Sequence, residues 1–191
     1  LALFSGWGGC PQVFNEDDHK YLTERNELKE LLTVKEYQDA KASTLTSFYT
    51  PLSVISNVYK IIDHLGFKSG KIIETSMGTG NFIGLMNEDM YQESDICGIE
   101  IDEISSAIAD LLYDKVSVLN TGYETNPLPK DYFDLAISNV PFGNFQIHDK
   151  DFNQYHFNIH NYFFAKALSQ VRNGGLIAFI TATDTMDGSS R

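Results

Sequence analysis

Cysteine is nearly missing: Cys10 and Cys97 are the two that occur in 191 residues. That excludes a disulfide framework and a cysteine-built zinc site, and Cys97, inside an apolar strand-like run, reads as core packing. Basic residues are also sparse. Fourteen Lys and Arg stand against 26 Asp and Glu, a formal net charge of −12, and they are scattered from Lys20 to Arg191 with no two adjacent. No basic patch can be read from that distribution, so if the substrate is a polyanion such as DNA, most of the grip on it is expected to lie elsewhere. The longest apolar runs, such as Leu176 to Ile180, fall far short of a membrane span. No signal peptide is recognisable, so a cytoplasmic protein without membrane contact is expected. Methionine is absent from position 1, and the chain stops at Arg191 just after a strand and a polar turn; a piece excised from a longer protein is expected.

The 42% hydrophobic and 13% aromatic content suffices for one well-buried domain. Residues 1–42 read as an N-terminal helical extension. It opens on a glycine-rich start in which Trp7 is expected to anchor a core, followed by a charged stretch from Asn15 to Lys41 with Leu28, Leu31 and Leu32 at helical spacing. Residues 43–191 read as a catalytic domain. Its first helix is marked by Leu52, Ile55, Val58, Tyr59, Ile62 and Leu65, with Thr50 expected as N-cap, Pro51 at the first helical position and Gly66 after the end.

From Lys71 onward, short apolar runs alternate with amphipathic stretches, the pattern of successive βα units. Strands are expected over 71–75, 96–101, 116–120, 133–138 and 176–182. Helices are expected over 81–90, 104–113 and 159–171, the last two with stripes at Ile104, Ile108 and Leu111 and at Ile159, Phe163 and Leu168. Five such strands make a Rossmann-like α/β fold: an open, doubly wound, mostly parallel sheet, truncated after its fifth strand.

Directly after the first strand stands Glu74-Thr75-Ser76-Met77-Gly78-Thr79-Gly80. Two glycines let backbone approach a ligand where a β-carbon would collide. Twenty residues past Gly80, Glu100 ends the second strand, where a carboxylate in such a sheet accepts hydrogen bonds from a ribose. The third glycine of the dinucleotide fingerprint is lacking, as is the lysine of a P-loop. Glu74 would repel a pyrophosphate but suits a cationic or amine-bearing ligand such as the methionine part of S-adenosylmethionine. A tight turn that holds no ligand remains the alternative for this loop alone.

At the end of the fourth strand the chain reads Ser138-Asn139-Val140-Pro141-Phe142. An aromatic amine such as adenine N6 is a poor nucleophile, because its lone pair is delocalised into the ring. Two acceptors on its hydrogens, Asn139 Oδ1 and the carbonyl of Val140, would favour a more tetrahedral nitrogen, and Phe142 could stack on the base.

This tetrapeptide resembles that of the amino-methyltransferases whose signature is Asn-Pro-Pro followed by Tyr or Phe, and the resemblance runs from about Ser43 to Thr183. It implies S-adenosyl-L-methionine as cofactor and methylation of an amino nitrogen, adenine N6 in DNA above all. Asn139, Val140, Pro141 and Phe142 are then the catalytic segment. Phe48-Tyr49-Thr50-Pro51 resembles the family's methionine-binding motif, in which Tyr49 and Thr50 would contact the cofactor. Glu74, Ser76, Gly78 and Gly80 match its glycine loop, Glu100 its ribose-binding acid and Ile101 the side chain packed on the cofactor's adenine. The Asp that binds the adenine amino group in the family is missing near Gly122-Tyr123-Glu124, and Glu124 is the candidate substitute. Val140 replaces the first proline, which implies a less rigid loop with the carbonyl role kept. The wider chain, including Gly6-Trp7-Gly8-Gly9 and Tyr162-Phe163-Phe164-Ala165-Lys166, is similar to the methylase portion of large methylase-helicase proteins of bacterial mobile elements and phages. That implies continuation into helicase or target-recognition domains, and DNA as the partner.

Other features have double readings. His156 and His160, with Asp149 and Asp151 nearby, could ligate a metal if helical, but methyl transfer needs none and no metal is expected. Phe145, Phe152, Tyr155 and Phe157 could line the substrate pocket or simply pack. Asp102 could touch the cofactor or cap the next helix. Methylation of protein glutamine or an RNA base amine, and a cofactor-binding scaffold without turnover, are the competing functions.

Overall fold

A computed structural model of the chain describes residues 4, 6–44, 49–141, 143, 145–183 and 185. The chain forms two compact units, Leu3–Tyr49 and Thr50–Arg191.

In the first unit, short 3-10 turns at Pro11–Phe14 and His19–Tyr21 precede helices α1 (Leu22–Leu31) and α2 (Val34–Ser43). A reciprocal cap starts α2: Thr33 Oγ1 accepts from the Glu36 N–H (3.3 Å) and Glu36 Oε2 from the Thr33 N–H (2.8 Å), so two orphan donors are satisfied at once. Val13, Phe14, Tyr37 and Ala40 form the core, with Trp7 edge-on to Phe14 at 5.6 Å, as its anchoring role requires. The expected leucine stripe does not hold throughout, since Leu31 is 73% exposed. The buried residue of α1 is Arg25, drawn inward by turn carbonyls. Its Nε donates to Val13 O and its Nη2 to Asp18 O, both at 2.8 Å.

The second unit opens with α3 (Leu52–His64). Its end is as expected: Phe67 N–H reaches Ile62 O (3.2 Å) and Gly66 N–H reaches Asp63 O (2.9 Å), a Schellman arrangement. Its start differs from expectation. Pro51, with φ −56° and ψ 137°, is the N-cap rather than the first helical residue, because its carbonyl accepts the Val54 and Ile55 N–H groups (2.9 and 3.2 Å). Thr50 therefore precedes the cap and does not provide it.

The remaining elements are β1 (Lys71–Glu74), α4 (Asn81–Gly84), α5 (Glu88–Glu93), β2 (Asp95–Glu100), α6 (Glu103–Leu112), β3 (Val116–Asn120), β4 (Phe133–Asn139), α7 (Ile159–Gln170) and β5 (Val171–Ile180). The five strands form one sheet in the order β3-β2-β1-β4-β5, with every pairing parallel. Alternate residues serve opposite faces. Ile72, Leu135 and Ile137 pack with Ile55 and Ile62 of α3 and Ala109 of α6, whereas Ile73, Ala136 and Ile99 pack with Ile159, Tyr162 and Phe163 of α7. The sheet is thus covered on both sides, the doubly wound arrangement expected from the alternating pattern.

Several boundaries and faces differ from expectation. The single helix expected over 81–90 is two, because Asn87 Oδ1 accepts the Met90 N–H at 2.8 Å and starts a new helix. β5 begins at Val171, which pairs with Phe133 before a register shift brings Leu176 opposite Leu135. On α6, Leu111 is 76% exposed, and Ser105, Ser106, Ile108 and Ala109 are buried instead; small side chains allow close approach to β2 and β3. On α7, Leu168 is 66% exposed and the inward face includes Tyr162, Lys166 and Gln170. Among the described residues no helix is long and apolar enough to cross a membrane.

Candidate functional site

All five strands run in one direction, so their C-terminal ends share one edge, and β1 and β4 are neighbours whose chains then leave to opposite sides. Such a switch point opens a crevice. Glu74, Glu100, Asn120 and Asn139 are the last residues of β1, β2, β3 and β4, so the sequence-marked positions of three separate motifs meet at this edge.

The loop after β1 is held from below: Met77 N–H donates to Ile99 O (2.9 Å) and Gly80 N–H to Met77 O (2.8 Å). Gly78 and Gly80 take φ of 56° and 82°, a region costly for side-chain-bearing residues. A β-carbon on Gly80 would also collide with the Tyr113 ring.

Glu100 closes the loop against β2. One carboxylate oxygen accepts the Gly78 N–H and the other the Asp102 N–H, each at 2.7 Å. Burial raises its pKa, while those two N–H groups oppose the rise. Each oxygen still has a lone pair for a ligand hydroxyl. Beside it, Ile101 is 66% exposed, an apolar side chain kept in solvent at the crevice.

Glu74 is 1% exposed, and burial first, then the charge of Glu100, pushes its carboxyl well above the ordinary carboxylate range. Its Oε2, together with Thr75 Oγ1 and Thr79 Oγ1, is buried without a hydrogen-bond partner. Leaving such atoms unpaired costs about 1–3 kcal/mol each. All three lie between the end of β1 and the second glycine of the loop.

Ser76 joins this loop to the end of β4. Its hydroxyl donates to Asn139 O (2.9 Å) and lies 2.8 Å from Ser138 Oγ; with its one proton committed, Ser138 supplies the other. Val140 follows, 1% exposed, with its N–H donating to Ile180 O at 3.0 Å. A proline at position 140 has no N–H to give. Valine at this position thus ties the end of β4 to β5 by a sheet hydrogen bond. Pro141 is half-buried, and Phe142 lies outside the described residues.

Thr50 is buried ahead of α3, Tyr49 belongs to the first unit, and Phe48 lies outside the described residues. Glu124 sits half-buried in a 3-10 turn, Tyr123–Thr125, its carboxylate folded back against Gly122. Asp102 is engaged as a cap: its Oδ2 accepts the Ser105 N–H at 2.7 Å. In the loop before α7, Phe152 and Phe157 pack on the core while Phe145 and Tyr155 are exposed. The rings of Tyr155 and Phe157 stack at 5.2 Å. Among the described residues no group of three or more His, Cys, Asp or Glu could hold a metal.

Sequence reasoning missed the partners across the crevice: Ser138 for Ser76, and Asn120, whose Nδ2 donates to Glu100 O at 2.9 Å. It also missed a buried polar cluster in which the Lys166 ammonium contacts Tyr123 O (2.7 Å), Asp149 Oδ2 (3.0 Å) and Glu124 O (3.3 Å). The spacing of Tyr162, Lys166 and Gln170 by four was the available signal.

No family model matches the chain. A methyltransferase subunit of a type I restriction-modification system from Streptococcus thermophilus superposes with a TM-score of 0.62 and 15% identity, covering 91% of this chain and 45% of that one. A modification subunit assigned to a type I restriction enzyme of Vibrio vulnificus superposes with a TM-score of 0.56 and 18% identity, over 89% and 41% of the two chains. The fold is that of the S-adenosylmethionine-dependent methyltransferases. In sequence, the chain is 29% identical over 152 residues to the defense against restriction protein B of Escherichia phage P1, covering 77% of this chain and 6% of that protein. Measured against that phage protein, the methyltransferase-fold chain spans a small fraction of its length.

Proposed function

We propose that this chain is the catalytic domain of an S-adenosyl-L-methionine-dependent methyltransferase acting on an amino nitrogen, adenine N6 in DNA. The observation that carries the reading is the Ser76–Asn139 hydrogen bond, which holds the amine-binding tetrapeptide against the glycine loop that would bind the cofactor.

S-adenosylmethionine supplies an activated methyl group on a sulfonium centre. The unpartnered Glu74 and Thr75 oxygens and the paired Glu100 carboxylate suit its cationic, amine-bearing and ribose parts, with Thr50 at its methionine end. Ile101 offers an apolar surface to its adenine, and the Glu124 loop borders the same side. Asn139 Oδ1 and the Val140 carbonyl are the acceptors for the two hydrogens of the target amine, and Pro141 and Phe142 shape the surface on which the base stacks. As the S–CH3 bond breaks and the N–CH3 bond forms, the positive charge would pass from sulfur to the amine nitrogen, which is then acidic enough to release its proton to water without a strong general base.

A net charge of −12 gives this domain little attraction for a duplex. DNA is then held by other regions of the protein, in keeping with the restriction-related names of the similar proteins. The test uses the full-length protein, unmethylated duplex DNA and isotope-labelled cofactor, with digests scored by mass spectrometry. N6-methyladenine is the expected product. Methylglutamine or a methylated RNA base would move the substrate assignment, and cofactor binding without any methylated product would overturn the enzymatic one.

A further inference from the structure

Three polar side chains at spacing four, Tyr162, Lys166 and Gln170, are buried along one face of α7, and each reaches a loop at the ligand edge or its neighbour. Tyr162 OH donates to Asp149 Oδ2 at 2.7 Å. Lys166 Nζ donates to the same Oδ2 and to the carbonyls of Tyr123 and Glu124. Gln170 Oε1 accepts from Tyr123 OH at 2.5 Å. The ammonium, 6% exposed as a residue, lies 5.0 Å from the Tyr123 ring centroid and 5.7 Å from that of Tyr162.

Asp149 is equally committed. Its Oδ1 accepts the Asp151 N–H (3.0 Å), its backbone N–H donates to Asn153 Oδ1 (2.9 Å), and its carbonyl accepts the N–H groups of Phe152 and Asn153. Hydrogen bonding and the Lys166 charge outweigh burial and hold its carboxyl below the ordinary range. It therefore organises the loop that follows the Asn139–Phe142 segment, as Tyr123 and Glu124 organise the loop after β3.

A buried ion pair contributes little net stability compared with apolar packing of similar volume, because desolvation offsets the attraction. What it does provide is a fixed separation between the groups it joins. We propose that Lys166 is a positioning residue for the methyl-transfer site: its buried ammonium locks the Tyr123–Glu124 loop, on the cofactor side, to the Asp149 loop, on the target side. This rests on the methyltransferase reading above. Lys166 is a partner common to both loops, bonded at once to the Tyr123 and Glu124 carbonyls and to Asp149, and Tyr162 supports the same join from one turn earlier.

The two arms can be cut separately in the full-length protein. Lys166→Met releases both loops, whereas Asp149→Ala frees the target loop and leaves the ammonium on the Tyr123 and Glu124 carbonyls. Lys166→Met is expected to weaken S-adenosylmethionine binding about tenfold by calorimetry and also to slow methylation of unmethylated duplex DNA. Asp149→Ala is expected to leave cofactor affinity within about twofold while lowering kcat about tenfold or more, since misplacement by about 1 Å can cost 10²-fold. Should Lys166→Met fail to fold, the split shown by Asp149→Ala decides alone. Folded variants with wild-type affinity and turnover overturn the proposal. So does an equal loss of both quantities in both variants that tracks their melting temperatures, which is the mark of a merely structural role. An unmodified protein that binds no S-adenosylmethionine instead defeats the methyltransferase reading, and the positioning role with it.

Discussion

Ser76, in the loop after β1, donates its hydroxyl proton to the backbone carbonyl of Asn139, the last residue of β4, at 2.9 Å. The two residues are 63 apart in sequence, and their bond ties the glycine loop after β1 to the end of β4. Ser76→Ala removes the bond without creating bulk. It is expected to cost about 1 kcal/mol of stability, the net value of one such hydrogen bond, measured by urea denaturation. It should also lower kcat for methylation more than it raises the KM for cofactor. Equal effects on both parameters would assign Ser76 to the cofactor loop alone.

Asn139 and Glu100 are expected to separate cleanly when each is replaced by Ala. Asn139→Ala should lower methylation by about 10²–10³-fold, in line with loss of a group that acts on the reacting centre, while calorimetry finds cofactor affinity nearly unchanged. Glu100→Ala loses a charged acceptor whose hydrogen bonds contribute about 1.5–3 kcal/mol, and should weaken cofactor binding about tenfold or more. Unchanged N6-methyladenine formation by the Asn139 variant would reject the proposed role of the tetrapeptide.

Glu74 links stability to pH. Burial, with Glu100 second, raises its folded-state pKa well above the ordinary value, so the folded protein holds more protons than the unfolded chain in the interval between the two. Stability is therefore greatest below the unfolded glutamate value of about 4.3 and falls as pH rises through the folded pKa. Glu74→Gln is expected to flatten that part of the profile and to raise the melting temperature at neutral pH relative to the parent. The same variant should bind S-adenosylmethionine more weakly, because an amide cannot ionise beside a cationic ligand as the carboxyl can. A parallel pH–melting profile for the two proteins would refute the assignment.

The strands and the ends of the motifs were legible because they rest on local pattern. Ile72 and Ile73, or Leu135 and Ala136, serve opposite faces of a sheet whose hydrophobic runs are short and bounded, and Glu74, Glu100 and Asn139 fall at strand ends by position alone. The helix faces were less legible. Leu111 and Leu168 sit at helical spacing yet point to solvent, because α6 approaches the sheet through Ser105 and Ala109 and α7 through a polar stripe that hydropathy does not mark as inward. The split between α4 and α5 turned on one Asn87 cap. Contacts such as Ser76 with Ser138 or Lys166 with Tyr123 join residues dozens of positions apart and leave no periodic trace.

Val140→Pro is expected to reduce stability by about 1 kcal/mol, the net value of one hydrogen bond, since the half-buried Ile180 carbonyl loses its donor. Thermal denaturation would read the loss, and a gain in melting temperature would show that the ring suffices alone.

The Val140 N–H that reaches Ile180 thus makes residue 140 and the last residue of β5 co-dependent. A proline placed at 140 would leave the end of β4 joined to β5 by one sheet hydrogen bond fewer. A motif search written around two prolines would pass over chains in which a sheet hydrogen bond has taken the place of a ring.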